Sequence, residues 1–334
     1  MTSNLGYYLA NLAVYFLVYC VFTLGLNISF GMAGLLDFAY ITFMAVGAYF
    51  AGVTALGPPT PDSQSSYILG LNWPFPLDLI AGAVAAGILG GLVGLLAVRR
   101  LRSDYLAIVM VAVWTIAWNL VSNLTGLFNG SEGIVGAPQP LSTTFNTDPN
   151  SYVYVFIPIA AIVVAIVLTI AYCIERSPFG RALRAVRADP DAAAAFGKPT
   201  FRLRLTAMVI GCVYAGIGGA LTMEFIGAMN TSGWAIIETV IIFSALLVGG
   251  RGNVFGAIVG ALLVRILIIE GTGLIPQVPS HPELLGAIRN MAIGVLVILV
   301  IYFRPQGVLP ERKRLYFERP DRDRDAKEVI RAPR

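Results

Sequence analysis

The stretch YVYVFIPIAAIVVAIVLTIAYCIERSPFGRALRAVRADPDAAAAFGKPTFRLRLTAMVIGCVYAGIGGALTMEF, residues 152–225, decides the fold class. Its flanks, 153–174 and 205–223, are apolar runs of about 20 residues, the length a helix needs to cross a hydrocarbon core. Between them lies a basic insert, 175–204, carrying Arg176, Arg181, Arg184, Arg187, Lys198, Arg202 and Arg204. Working outward, the same alternation repeats. Spanning helices are expected near 7–26, 37–56, 77–98, 105–124, 153–174, 205–223, 235–249, 254–270 and 285–303. The chain is 57% hydrophobic and 13% charged, against roughly 25% charged residues in a soluble domain. The fold class is an all-α polytopic membrane protein, a helical bundle of about nine or ten membrane segments.

Charge sorts the loops. Of the 23 Lys and Arg, 21 fall in four stretches: after the third span (Arg99, Arg100, Arg102), in the insert, at Arg251, and from Arg304 to the C-terminus. The loops 57–76, 125–152 and 271–284 have none. The positive-inside rule therefore places the insert and the C-terminus in the cytoplasm and the other loops outside. The N-terminus has no basic region and no small-residue cleavage site, so it reads as a first span rather than a signal peptide. The stretch NISFGMAGLLDF, 27–38, is apolar, glycine-rich and too short to cross. It is expected to be a half-helix or re-entrant turn covered by protein, which would leave the N-terminus inside. One membrane domain, 1–304, is expected, with a polar, partly disordered cytosolic tail at 305–334.

The insert has local structure of its own. Ser177-Pro178 is a helix start, with Ser as N-cap and Pro at the first helical position. Phe179, Leu183 and Val186 then share one face, and Arg181, Arg184 and Arg187 another. Asp189-Pro190 ends that helix and caps a second, alanine-rich turn that stops at Gly197. The residues alone allow three roles: a loop held inside by its charge, an interfacial helix on anionic lipid, or a docking element for a cytosolic protein. FGKPT is not a phosphate loop, because Ala192 stands where the first glycine is needed and Pro199 follows the lysine.

Taken together, SPFGRALRAVR, AAAAFG, AGIGGAL (215–221), NISFGMAGLLDFAYITFMAVGAYFAG (27–52), RSDYLAIVMVAV (102–113), NLTGLFNGSEGI (123–134), LLVGGRGNVFGAIVGALL (246–263) and FRPQGVLP (303–310) resemble the permease subunits of branched-chain amino-acid ABC importers. The resemblance covers nearly the whole chain and is nearer the M-type than the H-type member of the permease pair. It implies that the insert is a coupling helix gripped by an ATP-binding subunit. Gly180, Arg181, Ala182, Leu183, Arg184, Ala185, Arg187, Ala193 and Gly197 lie in that motif. The small residues permit close approach and the arginines can pair with acidic residues on the ATPase. An uninterrupted alanine run replaces the acidic residue common in the second helical turn. The resemblance further implies a second permease, two ATPases holding ATP and Mg, an extracytoplasmic binding protein, and a bacterial or archaeal cytoplasmic membrane. No cofactor in this chain and no nucleic acid are expected.

Within the spans, ionisable residues are few: Asp37, Glu224, Glu238, Arg265, Glu270 and Arg289. Charge at membrane depth points to function, and Asp37 beside the broken segment is the foremost pathway candidate. Phe30, Gly31, Gly34, Glu238 and Arg265 complete the candidate pathway, with Arg265 expected to pair with Glu238 or Glu270. Glycines such as Gly87, Gly90, Gly91, Gly94, Gly256 and Gly260 are expected to serve helix packing. His281, the sole histidine, is expected at the surface. Neither a nucleophile–base pair nor metal-ligand spacing is present, and Cys20, Cys173 and Cys212 read as apolar thiols, so the chain is not expected to be an enzyme. The rival readings are the same machine carrying urea, short amides or other amino acids, and a stand-alone channel or secondary transporter.

Overall fold

The computed structural model describes residues 2–58, 67–99, 101, 103–141, 151–270, 284–304 and 306–311. Twelve α-helices run through these residues: α1 Thr2–Leu26, α2 Tyr40–Ala55, α3 Leu77–Ala97, α4 Ser103–Asn123, the short α5 Thr125–Phe128, α6 Tyr152–Arg176, α7 Pro178–Ala188, α8 Pro190–Ala195, α9 Thr200–Ile226, α10 Ile236–Gly249, α11 Val254–Leu262 and α12 Leu284–Phe303. A two-stranded antiparallel ribbon, β1 Ile134–Val135 with β2 Ala228–Met229, sets Ile134 opposite Met229. Six helical runs are long and apolar enough to cross a membrane, and three shorter apolar helices (Tyr40–Ala55, Val254–Ile266, Gly286–Val300) accompany them. About nine or ten membrane segments were expected; the described residues hold these six runs of spanning length and three shorter apolar helices. His281 and all but residues 306–311 of the stretch 305–334 lie outside them.

The packing inverts the soluble pattern. On α3, Gly82, Ala83, Ala86, Gly90 and Gly94 face inward, while Ile80, Val84, Ile88 and Leu92 are exposed four residues apart. Small residues let backbones approach where lipid offers no hydrophobic driving force, and large aliphatics face the lipid. α9 is the central helix. A Cβ on Gly216 would meet Ala86 Cβ at 2.6 Å and the Gly82 carbonyl at 2.9 Å, and Gly87, Gly90 and Gly94 lie against Val213, Cys212 and Leu205 of α9. Gly256 and Gly260 likewise sit on the backbone of residues 245–250. The glycines singled out in the sequence are thus packing positions.

At 27–38 the outcome differs from the expected half-helix. α1 continues without a break into a wider π turn, Asn27–Met32. The Gly34 and Leu35 amides then fold back on the Phe30 and Ser29 carbonyls, each at 3.0 Å, and Gly34 takes the left-handed φ of +73°. Glycines and polar residues weaken an isolated helix here, but packing on α9 sustains the winding, with Ser29 against Gly211 and Gly25 against Tyr214. Residues 33–39 are irregular, and Ala33, Leu35, Asp37 and Ala39 are buried, which meets the requirement that such backbone be covered by protein. The first helix is therefore a single crossing. Gly6 lies beside Tyr154 at the start of α6, whereas Gly34 lies beside Arg187. The N-terminal end of α1 and the insert occupy opposite ends of the bundle, contrary to the expected arrangement.

Candidate functional site: the junction of the insert and the π turn

The insert folds as its caps dictate. Ser177 accepts a hydrogen bond from the Gly180 amide at 3.2 Å and Pro178 opens α7. Asp189 accepts from the Asp191 and Ala192 amides at 2.9 and 3.0 Å, opening α8. Each cap meets amides that have no partner within the helix. Gly197, with φ +74°, ends the unit. The apolar face turns inward: Leu183 is 0% and Val186 1% exposed, and Gly180 and Ala193 are also buried. Arg181, Ala185 and Gly197 are exposed and Ala182 is partly so. Phe196, outside any apolar membrane run, is 85% exposed.

Arg184 and Arg187 do not follow Arg181 into solvent. The Arg184 guanidinium donates to the carbonyls of Glu175 and Gly252 at 3.3 and 3.1 Å and pairs with the carboxylates of Glu175 and Glu311. Arg187 donates to the Gly31 carbonyl and to the other Glu311 oxygen. These four side chains are only 19–24% exposed, and two guanidiniums balance two carboxylates. The planar fork of Arg suits such divided contacts, which an ammonium cannot copy. The acidic partners that the resemblance sought on another chain are present within this one.

Further bonds tie the junction together. Asn27 accepts from the Gly252 amide at 2.8 Å, and Glu175 accepts from the Val254 amide at 3.1 Å at the start of α11. Residues 306–311 clamp the end of α10 through Val308 N–H to the Val248 carbonyl and Leu309 N–H to the Gly249 carbonyl, at 2.8 and 2.9 Å. Gly252, with φ +82°, admits this crowding, since a Cβ there would meet Glu311 and Arg187 at 2.8–3.0 Å. Gly31 and Gly34, expected in the pathway, and Arg184 and Arg187, expected at the ATPase, thus belong to one cluster. Asn27, Glu175, Gly252 and Glu311 were not anticipated. The acids at the edges of the insert and of the last span were the only available signal.

Immediately beyond the junction is an apolar cavity of about 360 Å³. Phe30, Leu36 and Phe38 from the irregular segment form one wall, Val240, Phe243 and Ser244 of α10 a second, and Asn290, Ile293 and Val297 of α12 a third. Phe243 packs on both Phe30 and Phe38, with ring centroids 5.0 and 5.2 Å apart. Asp37 is not among the lining residues. It is 1% exposed and accepts from the Ala39 amide at 3.1 Å, just before α2. Glu238 accepts from the Tyr19 hydroxyl at 3.0 Å, and Arg265 stands over the rings of Tyr15 and Tyr19 at 4.6 and 5.4 Å. These three candidates lie outside the cavity lining.

The far end of the bundle is closed differently. Tyr49 stacks on Phe128 at 4.8 Å, and the Trp114 indole donates to the Trp234 carbonyl at 3.2 Å beside the β1–β2 ribbon. Glu224 is buried there with no hydrogen-bond partner for either oxygen. Among the described residues, no group of three or more His, Cys, Asp or Glu could hold a metal ion.

A glycine-packed bundle of membrane-length helices, exposed aliphatics, one structured insert and a half-open apolar cavity define a polytopic integral membrane protein. The chain belongs to the family described as branched-chain amino acid transport system / permease component, whose model matches residues 8–301. It is 29% identical over 320 residues to the high-affinity branched-chain amino acid transport system permease protein LivM of Salmonella typhimurium, covering 90% of this chain and 69% of that protein. It is 28% identical over 328 residues to the probable branched-chain amino acid transport permease protein LivM of Methanocaldococcus jannaschii, covering 90% and 92%. Similarity extends to the permease protein LivH of Salmonella typhimurium, 24% identical over 302 residues. No solved structure matches the chain.

Proposed function

We propose that this chain is one half of the paired permease of an ATP-driven importer for branched-chain amino acids, joined to an ATPase through α7 and α8. The observation that carries the reading is the two-sidedness of the insert. Its inner face is bonded to the segment that walls the cavity, and its outer face presents Arg181, Ala185 and Phe196, exposed among the described residues. Exposed aromatic and Arg side chains are typical anchors of protein interfaces. The insert then lies in the cytoplasm, together with residues 306–311, in accord with the charge asymmetry of the loops. A second permease supplies the remaining half of the pathway, and a binding protein meets the far end.

The lining of the cavity supports aliphatic cargo over urea or short amides. Aromatic and branched side chains dominate it, with Ser244 and Asn290 as its polar members. Burying a branched aliphatic side chain there is worth about 1.5–3 kcal/mol, a gain that urea cannot make. The test is reconstitution in vesicles. Leucine uptake is expected only when this chain is combined with the second permease, the ATPases, the binding protein and ATP. Uptake by this chain alone without ATP would instead establish a channel or secondary transporter. Urea transport with no leucine transport by the full assembly would overturn the cargo.

A further inference from the structure

We propose that Arg187 is the positioning residue that transmits movement of the insert to the cavity, by holding the Gly31 carbonyl and Glu311 at once. The inference rests on the importer reading above, and adds the physical link that reading lacks. The chain of contacts is short. Arg187 stands on α7, and its guanidinium donates to the Gly31 carbonyl in the π turn that ends the first helix. The neighbouring residue, Phe30, lines the cavity and packs on Phe243 of α10. Beneath the guanidinium, the Arg187 stem lies against Gly34, where an added Cβ would sit 2.9 Å from Cγ. The guanidinium of Arg187 is thus a polar link between the insert and the segment that walls the cavity, with its stem packed on Gly34 beside it.

The π turn makes this carbonyl a fitting point of leverage. Such turns occur often at functional sites and interrupt the regular hydrogen-bond ladder of a helix. Residues 33–39 beyond it are irregular and carry Leu36 and Phe38, two more of the cavity walls. A displacement of α7 that keeps the Arg187–Gly31 bond must drag the turn and with it Phe30. Glu311, held by both Arg184 and Arg187, keeps the guanidinium aimed. A lysine cannot serve, because one ammonium on a flexible stem does not span the two acceptors in a fixed plane.

The experiment uses the full transporter with Phe30→Cys as reporter and the exposed Cys173 replaced by serine; Cys20 and Cys212 are buried. ATP-dependent change in the thiol-labelling rate at position 30, ATP hydrolysis, leucine uptake and ATPase co-purification are measured together. In Arg187→Gln and Arg187→Lys, hydrolysis and co-purification are expected to persist. The ATP response of the label should vanish, and uptake should fall by about 5- to 150-fold, the range of typical coupling between sites. An unchanged label response and uptake in Arg187→Lys would overturn the proposal. So would loss of ATPase binding in that variant, which would make Arg187 a docking residue. If Arg187→Gln fails to fold, the lysine variant, which keeps the charge, still decides. Absence of ATP-driven uptake in the parent would sink the importer reading instead, so the two failures are distinguishable.

Discussion

Leu183→Ala offers a quantitative test of how the insert is held. Leu183 is wholly buried, and α7 packs against α6, α9 and the π turn. The substitution removes three carbons. At about 0.8 kcal/mol per methylene the lost transfer energy is about 2.4 kcal/mol, and the remaining cavity extends the range for such buried substitutions to about 2–5 kcal/mol. The caps at Ser177 and Asp189 are untouched, so α7 remains helical while its attachment weakens. The smaller figure alone multiplies the population of detached insert by about 50-fold, at about 1.4 kcal/mol per factor of ten. Amide exchange in lipid nanodiscs reads this directly. Protection across 178–188 should drop by about that factor, with α9 unchanged, because opening is local to one unit. If exchange in α7 is unaltered, Leu183 does not hold the insert. If α9 loosens with it, the insert is not a separate unit. Either result refutes the reasoning.

Three further outcomes are expected. Phe196→Ala should leave thermal unfolding of the permease unchanged, since this side chain is 85% exposed, yet weaken association with the ATPase by about 2 kcal/mol, as loss of an interface anchor does; a binding titration checks both. Gly216→Leu should destabilise the bundle by about 1–3 kcal/mol through overpacking against α3. Gly57→Ala, where an added Cβ meets nothing within 4 Å, should melt like the parent in detergent.

The resemblance named the insert as the point of coupling, and its caps, stop and amphipathic face were legible from neighbouring residues alone. What it could not supply was the direction in which each arginine turns. Arg181, Arg184 and Arg187 share a stripe by spacing, but α7 is seated on Leu183 and Val186 such that Arg181 is exposed while Arg184 and Arg187 reach the junction. Asp37 shows the same limit. A carboxylate in an apolar run reads as a pathway group; in the fold Asp37 is buried and accepts from the Ala39 amide, while its neighbours Leu36 and Phe38 line the cavity.

By itself, then, the sequence determined the elements and their order: apolar helices of membrane length from hydropathy, and helix ends from Ser-Pro, Asp-Pro and glycine. These follow from short-range chemistry, namely transfer into a hydrocarbon core, capping of unpaired amides, and backbone sterics. Only the tertiary structure decided the winding of 27–32, the single crossing of α1, and the partners of Arg184 and Arg187. Arg187 lies 156 residues from Gly31 and 124 from Glu311. Such contacts exist only after α1, α6, α9 and α10 have packed, because that packing sets where each backbone comes to rest. Local pattern placed charge on the insert; packing on α9 and the end of α1 determined which charges stay available to a partner and which hold the permease to itself.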